Sequence, residues 1–530
     1  MSQSAGSSVI YPEVSRSMKT SHIIFSALAA VSLLAGCGPK QDDAANVKPR
    51  VIVTCDPELD DHNSLIRYLL FSTDFDTEGI IYASSQVHWK GDGKGTTQYI
   101  PGREYSRAGR DLGPQTHWRW AEGERFIDED VEAYAQVYPN LKAQNPNYPS
   151  PEYLKSIIRE GNVWFEGEMD HDSPGSDLIK QVLLDDDPRP VFIQVWGGPS
   201  TASRALKSIE EEYSGTPEWD AIHARVSAKA KFCLSGQQDT TYRAYVREAW
   251  PDVESIILNA GVISLGYGAK RGVLDQADTL YFSPEWTMEN VKSKGIFGQM
   301  YRVWGDGKQM AKGDFTDYFG QKGFSAAELV EQGYWVWTPP QPEGNFISEG
   351  DTPMYLNLIG NGLRAWEDQT WGGWAGRKKT LTEEEQKAGF TSPFAMRATA
   401  DAVIPDFLPA VQNNFAARMA WSTTDDFSAV NHEPEIKGPV ALSGRPGQTL
   451  KLKAVASDPD GNALDCFWAH WKVDGSYQGE VQCSDLYQAA TSVTVPADAK
   501  PGDTIHMVLT VADNGTPQCT SYLRTVITVK

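Results

Sequence analysis

Between residues 50 and 430, short apolar runs bounded by turn residues alternate with segments that have helical periodicity. A strand that is buried on both faces has no polar face, so its sequence is a nearly continuous apolar run. Parallel strands need a crossover connection, usually a helix, and this alternation therefore favours a mostly parallel sheet with helices on both faces. The predicted strands are 51–55, 78–84, 191–196, 231–234 and 255–258, and two of the predicted helices are 64–70 and 200–209.

The sequence after about residue 435 has a different pattern. Apolar and polar residues alternate at first in residues 450–455, and residues 458–462 form a cluster of turn-forming residues. About seven short strands with turns between them, over about a hundred residues, favour a β-sandwich. We therefore predict a second, all-β domain at the carboxyl end of the chain.

The amino-terminal part of the chain has an export pattern, since residues 18–40 read MKTSHIIFSALAAVSLLAGCGPK. An apolar stretch too short to span a bilayer comfortably follows Lys19, and small residues precede Cys37, as signal cleavage requires. This pattern resembles a bacterial lipoprotein signal that starts at Met18 and in which Cys37 is lipidated. An ordinary signal peptide or a short anchor helix is the alternative. Because Gly38 follows the cysteine, the resemblance implies an outer-membrane lipoprotein on the periplasmic or cell-surface side.

Four segments are therefore predicted along the chain. They are an upstream extension with the lipoprotein signal peptide (1–37), a linker (38–49), the α/β domain (50–432) and the β-sandwich domain (433–530).

The charge of the chain argues against some classes of partner. Its net charge is −22 and it has no basic block, so nucleic acid and anionic lipid surfaces are poor partners. Contact with a membrane is therefore expected only through the lipid anchor, and the sequence leaves the oligomeric state open. Three of the six cysteines, Cys466, Cys483 and Cys519, fall in the last hundred residues. An oxidising compartment permits one disulfide among them, with the pairing open.

An acidic motif, DPELDD at residues 56–61, directly follows the first predicted strand. Ligands of open α/β sheets bind in the crevice beyond the carboxyl ends of the strands, so a site is expected at this position. Carboxylates packed this closely repel one another unless a cation lies among them, and oxygen ligands suit Ca²⁺ or Mg²⁺ better than zinc. The alternative is a turn whose aspartates cap the next helix.

These motifs give the chain a resemblance to a known family. Residues 55–61, CDPELDD, resemble the DTDPGxDD signature of nucleoside hydrolases, and residues 195–201, VWGGPST, are similar to a GGLTN-like turn of that family. Nearly the whole mature chain more specifically resembles bacterial cellulose-binding proteins that have a nucleoside-hydrolase-like domain and a C-terminal Ig-like domain. The phrases that carry this resemblance are EGDTPMYLNLIGNGLR (349–364), REAWPD (247–252), NHEP (431–434) and VADNGTPQ (511–518).

The resemblance implies a Ca²⁺ site and a catalytic base. The implied metal ligands are the carboxylates of Asp56, Asp61 and Asp351 and the backbone carbonyl of Trp196. Asp56 would also be the general base that deprotonates the attacking water. Asp60 would bind a sugar hydroxyl or the water, and Gln86 would replace an asparagine of the family as a hydroxyl partner.

Other positions depart from the nucleoside hydrolase pattern. Glu58 replaces a glycine beside the metal loop, and Gly350 stands where nucleoside hydrolases often have a histidine that assists the leaving group. No AEFN-like ribose-binding segment is visible, and residues 235–239, SGQQD, end the fourth strand instead. The remaining substrate-binding candidates are therefore Gln237, Gln238, Asp239 and Glu349. The metal and water half of the site is thus predicted, while the missing nucleobase half argues against nucleosides as substrates.

Two functions follow as alternatives. The first is an exported, Ca²⁺-dependent glycoside hydrolase that cleaves a glycosidic bond of a plant or algal sugar by direct attack of water. The second is a non-catalytic surface lipoprotein that binds cellulose or another polysaccharide, in which calcium is structural. The partner in both is a carbohydrate, an oligo- or polysaccharide. Trp366, Trp371 and Trp374 are candidates for a sugar-stacking platform, or alternatively for an ordinary packed turn.

Overall fold

The structure of this chain is a computed structural model. It describes residues 47–530 apart from residues 108, 259–264, 268–273, 275, 390–394 and 399–406. Cys37, the signal segment and most of the predicted linker lie outside the described residues. Among the residues that are described, no helix is long and apolar enough to cross a membrane.

An eight-stranded sheet forms the centre of the larger domain. Its strands are β1 (Arg50–Cys55), β2 (Asp76–Tyr82), β3 (Ile158–Glu160), β4 (Val191–Val195), β5 (Ala230–Ser235), β6 (Glu254–Leu258), β7 (Lys378–Thr380) and β8 (Ala395–Ala398). They lie in the order β3-β2-β1-β4-β5-β6-β8-β7, and every neighbouring pair is parallel except β7 and β8. The five predicted strands correspond to β1, β2, β4, β5 and β6, so the predicted α/β fold is confirmed.

Helices pack on both faces of this sheet. Alternate residues of β1 belong to two different cores, since Val51 and Val53 contact one hydrophobic cluster and Ile52 contacts the other. The described helices are α1 (Leu59–Leu70), α2 (Phe126–Gln144), α3 (Pro151–Ser156), α4 (Pro174–Leu184), α5 (Ser200–Tyr213), α6 (Trp219–Lys229), α7 (Arg247–Ala249), α8 (Pro284–Thr287), α9 (Gly295–Met300), α10 (Ala326–Glu331), α11 (Glu383–Gly389) and α12 (Leu408–Trp421).

Helix α1 begins earlier than the predicted helix 64–70, so Asp60 and Asp61 lie in its first turn. The residue before the helix, Glu58, is in an extended conformation and makes no side-chain capping bond. The alternative in which aspartates of the motif cap the helix is therefore wrong. These two carboxylates instead sit where the helix dipole favours negative charge.

The order of the strands reverses between β1 and β4. The chain runs outward from β1 through β2 to β3 on one side and from β4 through β5 to β6 on the other. A ligand crevice forms at such a switch point, beyond the carboxyl ends of the two central strands. Asp56 follows β1 and Trp196 follows β4, so the fold brings both residues to this crevice.

The carboxyl-terminal residues form a β-sandwich, as predicted. Its strands are β9 (Glu435–Lys437), β10 (Ala441–Gly444), β11 (Thr449–Lys453), β12 (Val455–Ser457), β13 (Leu464–His470), β14 (Gln482–Cys483), β15 (Ala490–Thr494), β16 (Thr504–Asp513) and β17 (Thr520–Val529). A sheet of order β10-β17-β16-β13 and a sheet of order β11-β15-β14 enclose a separate core around Trp468. The residues of β11 alternate between exposed and buried, which is the pattern of a strand with one solvent face.

The sandwich is attached to the α/β domain through backbone hydrogen bonds. The N–H of Tyr522 donates to the carbonyl of Asn361 at 2.8 Å, and the N–H of Arg524 donates to the carbonyl of Gly362 at 3.1 Å. Gly362 has a φ of +91°, and a Cβ atom at this position would lie 1.8 Å from the carbonyl oxygen of Tyr522. Only glycine allows the two backbones to approach this closely.

Two of the tryptophans considered as a sugar platform pack into this domain contact. Trp371 lies edge-on to His506 with ring centroids 4.9 Å apart, and Nε1 of Trp374 donates to the hydroxyl of Tyr522 at 3.4 Å. Trp366 is only partly buried and packs against the main core. The packed-turn alternative is therefore confirmed for Trp371 and Trp374.

The five cysteines among the described residues are free thiols. Cys519 is buried, while Cys466 and Cys483 are partly buried in the core of the sandwich. The disulfide predicted as permitted among these three residues is therefore not formed.

Candidate metal centre and cleft

Strand β1 ends at Cys55, so the next residue, Asp56, lies in the crevice beyond the carboxyl ends of the central strands. Its carboxylate is fully buried, and Oδ2 lies 3.1 Å from Nδ1 of His88. The other oxygen, Oδ1, has no hydrogen-bond partner among the described residues. A buried carboxylate oxygen without a partner carries a desolvation cost, and such an atom in a native site calls for an ion or a water as its partner.

The first turn of α1 holds the next two carboxylates beside Asp56. Oδ1 of Asp61 accepts the backbone N–H of Asp56 at 3.0 Å, which fixes the two residues against each other. Asp60 accepts hydrogen bonds from the hydroxyls of Tyr267 at 3.2 Å and Ser348 at 3.3 Å. These hydrogen bonds orient the carboxylates of Asp60 and Asp61, and none of the three donors is a basic side chain.

A fourth carboxylate comes from the segment after β6. Asp351 is buried at the start of a 3₁₀ turn, Thr352–Met354; its charge acts on Asp61, and the charge of Asp60 acts on it. The preceding residue explains one departure from the nucleoside hydrolase pattern. A Cβ atom at Gly350 would lie 2.3 Å from Oδ2 of Asp60, so a histidine here would require the carboxylate of Asp60 to move.

The electrostatics show how crowded this centre is. Burial and the charges of neighbouring carboxylates raise the pKa values of Asp61 and Asp351 well above their usual range. Burial and the charge of Asp60 raise the pKa of Glu58 to about 8, and burial with the charge of Asp56 raises the pKa of Asp60 to about 6. When the pKa values of several neighbouring carboxyl groups are all raised, too little positive charge lies nearby to stabilise their ionised forms.

Asp56 is the exception in this cluster. Burial acts to raise its pKa, but the charge of His88 and the hydrogen bond to His88 lower it below the usual value. Asp56 is therefore ionised at neutral pH, while the pKa values of Glu58, Asp60, Asp61 and Asp351 are shifted in the opposite direction. Groups pushed apart in this way can take different acid–base roles.

The side chains of the cluster fit a cation. Ligand atoms within 4.8 Å of one another occur in two groups that share Glu58, one with Asp56 and His88 and one with Asp60 and Asp61. Most of these donors are carboxylate oxygens, which suit a hard ion such as Ca²⁺. Oδ1 of Asp56 lacks a hydrogen-bond partner among the described residues, and the pKa values of Asp60, Asp61 and Asp351 are raised. Both observations indicate that this cluster is suited to binding a cation.

Trp196 and Gln238 are brought together in this region. The side-chain amide of Gln238 donates to the backbone carbonyl of Trp196 at 2.5 Å. The carbonyl of Gln238 in turn accepts the backbone N–H of Gln86 at 2.7 Å, which ties the loops after β2 and β5 together. The Trp196 carbonyl, expected to bind the metal, thus has an amide partner in this structure.

Three other predicted substrate ligands have partners inside the protein. Asp239 accepts the N–H groups of Ser200 and Thr241 at 3.0 and 2.7 Å, so it organises the start of α5. The amide of Gln237 donates to the carbonyl of Gly389 at 3.0 Å. Glu349 forms a fully buried ion pair with Arg67, with oxygen–nitrogen distances of 2.5 and 3.0 Å. We therefore assign these three side chains to the architecture around the site and leave them out of the ligand set proposed below.

Two residues of the centre were missed by sequence reasoning. His88 lies just beyond the end of β2, at the same edge of the sheet as Asp56, and this position was the available signal. Tyr267 donates its hydroxyl to Glu58 at 3.0 Å and comes from a segment without helical or strand periodicity, so it had no signal.

A cleft of about 430 Å³ opens beside this centre. Glu58 and His88 lie at its inner end, and its wall includes four aromatic side chains: Tyr267, Phe319, Trp335 and Trp337. The ring of Tyr267 contacts those of Trp337 and Phe319, with centroids 4.7 and 5.3 Å apart. Trp337 is 40% exposed, and its Nε1 donates to the carbonyl of Thr316 at 3.2 Å. An aromatic wall therefore runs outward from the carboxylates.

Comparison with known proteins identifies relatives of both domains. A family model described as cellulose-binding Sde182, nucleoside hydrolase-like domain, matches residues 50–377. A second model, described as the C-terminal domain of cellulose-binding protein Sde0182, matches residues 449–529. No curated protein sequence matches the chain.

One solved structure is similar over most of the chain. It is a nucleoside hydrolase-related hypothetical protein from Saccharophagus degradans, described as associated with carbohydrate metabolism. It is 25% identical, and the match covers 91% of this chain and 100% of that protein with a TM-score of 0.67. A second match, murine CRIg, has 13% identity and a TM-score of 0.14, and covers 19% of this chain and 99% of that one. We draw nothing from this second match.

Proposed function

This chain belongs to the family of cellulose-binding Sde182 proteins with a nucleoside hydrolase-like domain, and on that premise we propose that it is an exported, Ca²⁺-dependent glycoside hydrolase. Its substrate would be a plant or algal oligosaccharide or polysaccharide, and water would attack the glycosidic bond directly. The family supports carbohydrate as the class of partner.

One observation carries the proposal. Asp56, Asp60, Asp61 and Asp351 are buried together at the switch point of the sheet, and Oδ1 of Asp56 has no partner among the described residues. Natural proteins bury charges that are paired or that bind a metal ion. Their carboxylate oxygens would hold calcium, which when bound would fix the attacking water and lower its pKa.

The residues around this centre have the properties that a hydrolytic step requires. Asp56 is ionised at neutral pH and would accept the proton of the attacking water as general base. His88, 3.1 Å away, holds that carboxylate in place through Oδ2, while Oδ1 accepts no hydrogen bond from the described residues. Direct attack by water, without a covalent intermediate, would invert the configuration of the anomeric carbon.

The cleft offers surfaces that a sugar ring can contact next to the metal centre. Its aromatic wall offers flat apolar faces, on which the C–H faces of a sugar ring can pack, beside polar groups that can fix orientation. Asp60 remains a candidate partner for a substrate hydroxyl, because it lies between the carboxylates and Tyr267.

The proposal is tested by calcium titration calorimetry on the mature protein after removal of metal with EDTA. We expect binding by the wild type, loss of binding in Asp61→Ala, and unchanged binding in Asp425→Ala, whose side chain is exposed. Turnover of a glycan panel with calcium present should then be abolished by Asp56→Asn. A wild type that binds no calcium, or that hydrolyses no glycan, would refute the hydrolase.

A second candidate function is non-catalytic binding of cellulose or another polysaccharide by a surface lipoprotein. The matching family models are both described as cellulose-binding. Retention of the wild type on cellulose with no turnover of any glycan would support this function over the first.

Export and anchoring form a separate part of the proposal. We expect Cys37 to be lipidated and the protein to fractionate with the outer membrane, on its periplasmic or cell-surface side. Radiolabelled palmitate should enter the wild type and not Cys37→Ala. Labelling of the variant, or fractionation of the wild type with soluble proteins, would contradict this expectation.

A further inference from the structure

One arginine at the mouth of the cleft differs from the arginines around it. Arg107 lies on the wall of the cleft, and 47% of its side chain is exposed. Its one ion-pair partner among the described residues is Glu104, at 3.7 Å, which is beyond hydrogen-bond distance. That carboxylate already accepts bonds from Arg119 at 3.1 Å and from Trp118 at 3.3 Å. The guanidinium of Arg107 is therefore poorly satisfied by the protein.

The neighbouring arginines, unlike Arg107, donate hydrogen bonds to the protein. Arg103 forms two hydrogen bonds with Glu166 through its Nε and another through Nη2, at 2.5 to 3.0 Å. Arg119 bonds to Asp314 as well as to Glu104. Arg110 donates to the carbonyl of Gly333 at 2.6 Å and lies over a phenylalanine ring. A structural role thus accounts for these three side chains, and not for Arg107.

The orientation of Arg107 is fixed by an aromatic ring. Its guanidinium carbon lies 4.7 Å from the centroid of Trp335, which is a cation–π distance. The guanidinium makes no hydrogen bond to the described residues, so its N–H groups remain available to a ligand. Those groups form a planar fork that matches a carboxylate with two parallel hydrogen bonds.

We propose that this arginine recognises the carboxylate of an acidic sugar, so that the cleft takes uronic-acid-containing glycans. The inference deepens the proposed function and rests on it for the position of the sugar beside the metal centre. Trp337 and Arg107 line the same cleft, so a sugar ring packed on Trp337 would lie in the cleft that Arg107 borders. The net charge of −22 repels anions at long range, so a preference for an acidic sugar must come from a local contact.

The preference is measured by calorimetric titration of the mature, calcium-loaded protein with two disaccharides. Cellobiose and cellobiouronic acid differ at C6 of one sugar, so their affinity ratio isolates the carboxylate. A hydrogen bond to a charged group contributes about 1.5–3 kcal/mol, so we expect the acidic disaccharide to bind about 10- to 100-fold more tightly. In Arg107→Gln this ratio should fall to about one.

Two further variants control the experiment. Arg110→Gln removes a neighbouring arginine that does not line the cleft, and it should keep the wild-type ratio. Arg107→Lys keeps the charge without the fork and should give an intermediate ratio. Equal affinity in the wild type, no measurable affinity for the acidic disaccharide, or a preference that persists in Arg107→Gln would overturn the inference. A preference without any glycan turnover would leave it standing while the proposed hydrolase fails.

Discussion

Helix α1 has buried charged side chains near both of its ends, and the two regions differ in how that charge is balanced. In the first turn, Asp60 and Asp61 lie beside Asp56 and Asp351, and among the described residues His88 is the basic side chain that pairs with Asp56. In the last turn, Arg67 forms a bidentate pair with Glu349, and both side chains are fully buried.

The second region is satisfied by the protein alone. Glu349 also accepts hydrogen bonds from the hydroxyls of Tyr301 and Thr352, and Arg67 donates to the side chain of Gln412 at 2.7 Å. The ring of Phe415 covers the guanidinium at 3.7 Å. The first region has no such balance, because the pKa values of Asp60, Asp61 and Asp351 are raised and only that of Asp56 is lowered, by His88. Burial of charged side chains alone therefore does not indicate a ligand-binding site, whereas buried charge without a neutralising partner does.

The largest effect is expected from breaking the balanced pair. In Arg67→Met, Glu349 would remain buried without its partner, which should lower the free energy of unfolding by about 3–5 kcal/mol. Urea denaturation of the mature protein measures this loss. The double variant Arg67→Met/Glu349→Gln should recover much of it, because both charges are then removed. A loss below about 1 kcal/mol in the single variant would show that the two regions do not differ as described.

The next effect concerns calcium, which should act on the unbalanced region. Calcium at about 100 times its dissociation constant should raise the free energy of unfolding by about 2.7 kcal/mol if it binds only the folded state. Thermal unfolding with and without EDTA measures this change. Arg67→Met should show the same calcium increment as the wild type, since its substitution lies outside the metal centre. An unchanged melting temperature at saturating calcium would show that calcium does not bind the acidic cluster at the first turn of α1.

A smaller and opposite effect is expected when one acid is neutralised. Asp61→Asn keeps an oxygen that can accept the N–H of Asp56 and removes one negative charge from the cluster. In EDTA this variant should be more stable than the wild type by about 1 kcal/mol, because burial and the neighbouring carboxylates raise the pKa of Asp61 and its charge therefore destabilises the folded protein. Denaturation in EDTA tests this, with Asp425→Asn as the exposed control. A less stable variant would mean that the acid cluster does not destabilise the metal-free protein.

The smallest effect tests a second balanced region, at the domain contact. Burial and the charge of Arg524 lower the pKa of His506 to about 4. The unfolded chain, with an ordinary histidine pKa of 6.5, therefore takes up a proton before the folded protein does. The stabilisation that comes from keeping His506 neutral is therefore fully present above pH 6.5 and is lost as the pH falls from 6.5 toward 4.

Between about pH 7.5 and about pH 5.5 the wild type should lose about 1 kcal/mol more than His506→Gln. Urea denaturation at several pH values measures the difference between the two proteins. The same pH dependence in both proteins would exclude His506 as its source.

Local sequence patterns predicted the framework of the site. The apolar run before Asp56 fixed both the strand and the position of the acidic motif at its carboxyl end, because both depend on adjacent residues. Glu349 and Asp351 show the limit of this reasoning. They are two residues apart in one motif, yet one pairs with Arg67 and the other joins the metal centre. Only the tertiary position of α1 separates them.

The aromatic residues that line the cleft could not be predicted from local sequence patterns, for a related reason. Trp335 and Trp337 come from a long segment without periodicity, while Trp371 and Trp374, which were considered instead, pack against the sandwich. Composition shows that aromatic residues are numerous, but burial and neighbours decide which of them face a ligand.

The close backbone contact at Gly362 has a consequence for how such proteins can change over evolution. The sandwich adds to the α/β domain through carbonyl groups of residues 361–363. An ancestor that lost the sandwich would expose those acceptors and the ring of Trp374 to solvent. We therefore expect the two domains to be inherited as a unit, and recombination between relatives to favour breakpoints away from this joint.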